Sequence, residues 1–152
     1  MDTFLDPAVT AATLSRLRRL RPNAQRQWGK MSAHQMVCHL NDSFQIGLGE
    51  RVASSASGVL QRTVFKPIAL RVPLPWPKGI RTRPEADQEL GGTRPLEFAT
   101  DMGNLIATIS RFTRSGRDFH LAVHPIFGKM SEWEWMRWGY LHTDHHLRQF
   151  GL

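Results

Sequence analysis

The sequence is poor in the features that announce a function by themselves. Its single cysteine, Cys38, excludes an internal disulfide and fits a reducing compartment, so a cytoplasmic location is expected. No uncharged apolar stretch approaches the ~20 residues needed to span a bilayer, and no membrane partner is expected. The N-terminal residues lack a basic start followed by an apolar run, so no secretory leader is expected. There is no internal repeat, no low-complexity tract and no run of alternating strands. No recognised nucleic-acid motif is present either. Hydrophobic residues nevertheless make up 41% of the 152 positions, enough to build a core, and the length suits one domain over 1–152.

Charge is the one strong compositional bias. The net charge is +7, which keeps nucleic acid or an anionic surface in play as partner classes. The densest basic cluster, Arg16, Arg18, Arg19 and Arg21, interleaves with Leu14, Leu17 and Leu20 at helical spacing. That pattern describes a surface helix with packed leucines and solvated arginines, so nucleic acid is the weaker class.

Helical signals dominate the chain. Asp6 and Pro7 can open a helix that ends before Pro22, running to about Arg21. Ser32 and Gln35 form a capping-box pattern ahead of Met36, Val37, Leu40, Phe44 and Leu48, which repeat every three or four residues. Residues 55–71 predict another helix, kinked or ended by Pro67. Val72 to Gly79 is proline-rich and extended, and a polar loop through Gly91 and Gly92 follows. An irregular stretch of that length is either a lid or a strap over the fold. A long helix is predicted from about Pro95 to Ser115, closed by Gly116. A last one is predicted from Ser131, paired with Glu134, to about Gln149, stopped by Gly151. The expected class is an all-α bundle.

The last helix carries the most chemistry. Trp135, Trp138, His142, His146 and Gln149 fall on one stripe. His142 and His146 are one turn apart and can converge on one ion. Two histidines hydrogen-bonded in the core would satisfy the same pattern. The stripe is not a zincin motif, because Thr143 stands where the glutamate general base is required. In the second helix, Cys38 reads as a packed residue and Asp42 as a solvated one rather than a support for a ligand.

The run from Trp28 through Ser32 to His39-Leu40 resembles the start of the second helix in the DinB-like superfamily. The C-terminal run His124-Pro-Ile-Phe-Gly128, continuing through Trp135 to His142-Thr-Asp-His-His146-Leu-Arg-Gln-Phe150, looks like the DUF1569 branch of that superfamily. The resemblance implies a four-helix bundle with a long crossover and an extra segment between helices 2 and 3. It also implies a divalent metal, zinc or nickel, held by His39, His142 and His146. His145 is the fallback ligand. His34 and His124 have no place in that set, and surface or turn roles are expected, with His124-Pro125 shaping entry to the last helix. Residues 50–94 match nothing in the family pattern.

Three histidines leave coordination positions open for water or substrate. The resembled superfamily includes thiol-dependent transferases and isomerases as well as members without an assigned activity. The chemistry of an open site fits two enzyme readings: transfer of a low-molecular-weight thiol, or metal-assisted hydrolysis of a small molecule. Asp42, Asp101 and Asp144 are the candidate bases, with Asp144 expected to point away from the ligands. The alternative is a non-catalytic bundle that binds metal and a small ligand, with Trp76, Trp135 and Trp138 lining its pocket or simply packing the core. A homodimer is also expected, with Trp133 and Phe150 as spare apolar residues.

Overall fold

The computed structural model describes residues 1–114, 116 and 121–152. Among these, the regular structure is helical: α1 (Pro7–Arg19), α2 (Ala33–Gly47), a short α3 (Lys66–Arg71), α4 (Phe98–Thr113) and α5 (Glu132–Gln149). The described residues form no strand beyond one isolated bridge between His124 and Gly128. No helix among them is long and apolar enough to cross a membrane.

Local chemistry sets the helix starts. The Asp6 carboxylate accepts from the Ala8 N–H, with Pro7 in the first turn where no donor is needed. Ser32 and Ser131 each close a full capping box, with Gln35 and Glu134 reaching back to the cap backbone. α4 begins later than Pro95, because Glu97 caps it by accepting from Ala99 and Thr100 N–H. Its expected end at Ser115 lies outside the described residues.

The predicted helix over 55–71 is only partly regular. A π-helical turn spans Gln61–Phe65 immediately before α3. Pro67 has no N–H, and its ring clashes with the carbonyl four residues back. The widened turn, in which Lys66 N–H bonds to Gln61 O, accommodates that defect without breaking the helix.

The core lies where α2, α4 and α5 meet, with α1 packed against α5. Phe44 stacks edge-on against Phe112 at 4.9 Å, and Trp135 against Trp138 at 5.2 Å. Gly47 makes this approach possible: a Cβ there would sit 2.9 Å from the Phe112 ring. On α1, Leu17 and Leu20 are buried and the neighbouring Arg18, Arg19 and Arg21 are exposed, as the amphipathic pattern requires. Arg137, buried on α5, donates to Leu70 O at 3.0 Å and to Asp2 O, tying α3 and the N-terminal segment to the last helix.

Two expectations fail here. Phe150 is buried in the core, and Trp133 is half-buried beneath Arg71, so neither is a spare apolar residue for a dimer. Asp42 is not solvated but fully buried. Its carboxylate accepts from Gln88 Nε2 (3.1 Å), Thr93 N (2.8 Å) and Thr93 Oγ1 (2.6 Å), and it pairs with Arg51 at 3.1 Å. A buried carboxylate needs such partners. They fasten the irregular segment after α3 onto α2, so that segment is a strap.

Candidate metal centre

α2 and α5 bring His39, His142 and His146 to one point. The potential ligand nitrogens of the three lie within 4.8 Å of one another. The His39 ring centroid is 5.1 Å from that of His142 and 4.7 Å from that of His146. The one-turn spacing on α5 brings the His142 and His146 rings to 4.9 Å.

Two of the three rings are held in a defined tautomer. His39 Nδ1 lies 2.8 Å from Ala86 O in the strap. A carbonyl only accepts, so Nδ1 carries the proton and Nε2 presents a lone pair. His146 Nδ1 lies 3.0 Å from Gln149 Oε1. The Gln149 amide is oriented in turn, because its Nε2 donates to Trp28 O at 2.8 Å. Oε1 is therefore the acceptor, His146 Nδ1 is the donor, and Nε2 is again a lone pair. Gly29 lets this chain close: a Cβ on it would meet Gln149 Nε2 at 2.5 Å.

Electrostatics reinforce the geometry. Burial pushes the His39 pKa below its ordinary value. Burial and the neighbouring imidazoles push His142 and His146 well below theirs. The rings are therefore neutral, the form that ligates metals. His39 Nε2 and His142 Nε2 are only 3.1 Å apart, and His142 Nδ1 is buried without a hydrogen-bond partner. Either tautomer of His142 leaves at least one ring nitrogen unsatisfied. Neutral imidazole lone pairs converging in a buried site suit a cation between them, and bonds of about 2.0–2.1 Å to zinc demand nitrogens about 3.3 Å apart. The donor set fits a borderline divalent ion.

The three histidines line a cavity of about 1080 Å³, slightly larger than ordinary ligand pockets. Trp28, Trp76, Phe127 and Trp138 are among its aromatic lining. Trp76 is pinned by Nε1 donating to Ala69 O at 2.9 Å, and its ring lies 6.1 Å from that of His142. Trp135 and Trp138 both line the cavity and belong to the core, so packing and lining are the same role for them.

The remaining candidates take other places. His145 sits beside the trio, with its ring 5.3 Å from that of His146 and 6.1 Å from that of Trp28. Asp144 faces away and pairs with Arg16 at 2.8 Å. His34 is not a plain surface residue: its Nε2 pairs with Asp101 at 2.7 Å. Cys38 lies behind that pair, with Sγ 3.7 Å from Asp101 Oδ2, and burial pushes its thiol up to about 12. His124 does hold a turn, its Nδ1 accepting from Ile126 and Phe127 N–H. It is nevertheless buried between Phe127, Trp135 and Trp138, and burial pushes its pKa down to about 3.

Sequence reasoning missed the two groups that orient the converging rings. Gln149 follows His146 by three residues on the same stripe, so helical spacing alone could have paired them. Ala86 acts through its backbone carbonyl, which leaves no mark in the sequence.

Residues 5–151 match the family model described as a protein of unknown function, DUF1569. The chain belongs to the DUF1569 family. No curated protein and no solved structure matches it. Within this DUF1569 chain, the matched span contains all three converging histidines, both orienting groups and the strap that covers them.

Proposed function

We propose that this protein is a metal-dependent enzyme of DinB-like architecture, with His39, His142 and His146 holding one zinc or nickel ion. The observation that carries the reading is the convergence of three neutral imidazoles, two of them locked with Nε2 inward, at the wall of a large cavity. Orienting partners of this kind distinguish built ligand sets from chance histidine clusters. A three-histidine site keeps positions open, whereas structural zinc sites are closed by four protein ligands.

When bound, the ion supplies a Lewis acid that lowers the pKa of a coordinated thiol or water. The chain's own residues do the rest. Ala86 and Gln149 fix the ligand rings. Trp76 and Trp138 exclude water around them, and the apolar walls hold the body of a small-molecule substrate. Transfer of a low-molecular-weight thiol is the favoured reaction, because an ion held by the three histidines would favour the thiolate without a protein base, and Asp42, Asp101 and Asp144 are engaged elsewhere. The thiol proton leaves to solvent, sulfur bonds to an electrophilic carbon, and that carbon releases its leaving group with the electron pair. Hydrolysis is the second reading, favoured by Asp87, a strap carboxylate that lines the cavity and acts on His39 electrostatically.

The test is a turnover assay of zinc- and nickel-loaded protein with a low-molecular-weight thiol and chromogenic electrophiles, beside activated esters without thiol. Thiol-dependent turnover that is absent in His142→Ala supports the first reading. Ester cleavage lost in both His142→Ala and Asp87→Asn supports the second. Loaded protein inert in both assays would favour a non-catalytic metal- and ligand-binding bundle.

A further inference from the structure

The segment between α2 and α4 carries an unusual charge distribution. From Arg51 to Arg83 every charged residue is basic, between the flanking acids Glu50 and Glu85. Some of this charge is spent inside the fold: Arg51 on Asp42, Lys66 on Glu134 at 3.2 Å, and Arg83 on Ser54 Oγ. Arg62, Arg71, Lys78 and Arg81 are exposed and form no ion pair among the described residues. Arg71 and Lys78 instead lie over the rings of Trp133 and Trp28.

The same segment turns an apolar stripe outward. Leu60, Val64 and Ile68 recur every four residues through the π turn into α3 and are 54%, 41% and 51% exposed. Leu70, on the opposite side, is buried. A surface helix ordinarily faces its apolar stripe inward. Beyond α3, Leu74 and Ile80 are 68% and 58% exposed. Ile68, Leu74 and Ile80 also line the cavity, whereas Leu60 and Val64 lie outside its lining. Exposed apolar residues thus recur along this segment from the outer face to the cavity wall, with basic residues between them.

We propose that residues 59–81 dock on an anionic lipid bilayer, with the cavity opening towards it. A bilayer presents anionic charge and hydrocarbon in one plane, matching a face that is basic and apolar together. It also demands no shape complementarity from a convex helix. A second copy fits worse: residues 59–81 carry basic charges and no acidic one, so a two-fold contact through this face would set one basic surface against another. The expectation of no membrane partner rested on the lack of a spanning segment; the contact here is peripheral. Molecules reaching the cavity by this route have a hydrocarbon body. The docking face uses none of the three converging histidines, so it stands apart from the metal reading.

Flotation of the full chain with vesicles tests this, comparing pure phosphatidylglycerol with pure phosphatidylcholine at about 0.1 M and about 0.5 M salt. The protein is expected to float with phosphatidylglycerol at low salt and to be released at high salt. Arg62→Gln and Arg81→Gln should each weaken partitioning about fivefold. Val64→Asp and Leu74→Asp should abolish it with unchanged circular dichroism and melting. His39→Ala should float like the parent, which separates failure of this surface from failure of the metal centre. Three results would overturn the proposal: no flotation with phosphatidylglycerol, equal flotation with both lipids, or parental binding by the charge and aspartate variants. Sedimentation velocity identifies one rival: a dimer broken by Val64→Asp, without flotation, assigns the face to a second copy.

Discussion

His146 Nδ1 donates to Gln149 Oε1 across 3.0 Å, and the rest of the Gln149 amide is spoken for by Trp28 O. The relay runs from the loop before α2 to the last turn of α5, and its end point is the direction of one imidazole lone pair. Gln149→Leu keeps the volume and removes the acceptor. Metal affinity should fall by about 10–100-fold, as for other losses of a ligand's orienting partner. Competition against a chromogenic chelator measures it. Parental affinity in the variant would mean that packing alone orients His146.

The strap has its own anchor in Asp42. Asp42→Ala strands the Gln88 amide and the Thr93 N–H and removes an ion pair from Arg51, which keeps its bonds to Glu85 O, Gly91 O and Thr93 Oγ1; leaving buried polar groups unpaired is what makes such losses severe. A destabilisation of about 3 kcal/mol is expected in chemical denaturation. Ala86 should lose its hold on His39 as the strap loosens, so metal affinity falls too. A variant as stable as the parent would show that the strap is held by its apolar contacts.

Two helical glycines should respond in opposite directions. A Cβ on Gly47 meets Phe112 at 2.9 Å and Trp135 at 3.1 Å, whereas one on Gly103 meets nothing within 4 Å. Gly47→Ala should destabilise by about 1–3 kcal/mol through overpacking, despite the gain in helix propensity. Gly103→Ala should stabilise by about 0.5–1 kcal/mol, since only the propensity gain remains. Thermal melts of the pair decide this, and equal signs would contradict it.

Cys38 should be chemically silent. Burial, then the Asp101 charge, push its thiol up to about 12, so the protonated form persists at pH 8. The thiolate fraction there is on the order of one in ten thousand. Alkylation should be negligible in the native protein and prompt in denaturant. Fast native labelling would contradict the assignment of Cys38 as a packed residue.

Much of the helical framework was legible, because caps and periodicity are local. Ser32 with Gln35 and Ser131 with Glu134 mark two helix starts that the structure places where the pattern does. The π turn was hidden, since Pro67 announces a defect but not how the chain absorbs it. Asp42 was misread for a deeper reason: its partners Gln88 and Thr93 lie in a segment without periodicity, and no spacing rule links them to α2. His124 was half legible, its turn evident from Pro125 and Gly128 but its burial dependent on Trp135 and Trp138. The stripe of His142 and His146 could be read from α5 alone. Placing His39 opposite them required the family resemblance, because a second helix's rotation is invisible until it packs.

The central claim is that the converging histidines hold a metal. Elemental mass spectrometry on untagged protein, purified without chelator and compared with His39→Ala, tests it most directly. The parent should carry about one zinc or nickel ion per chain, and the variant should lose it while keeping its helical circular dichroism. A parent that stays metal-free after loading with zinc and with nickel would contradict the claim, as would a variant that retains its full complement.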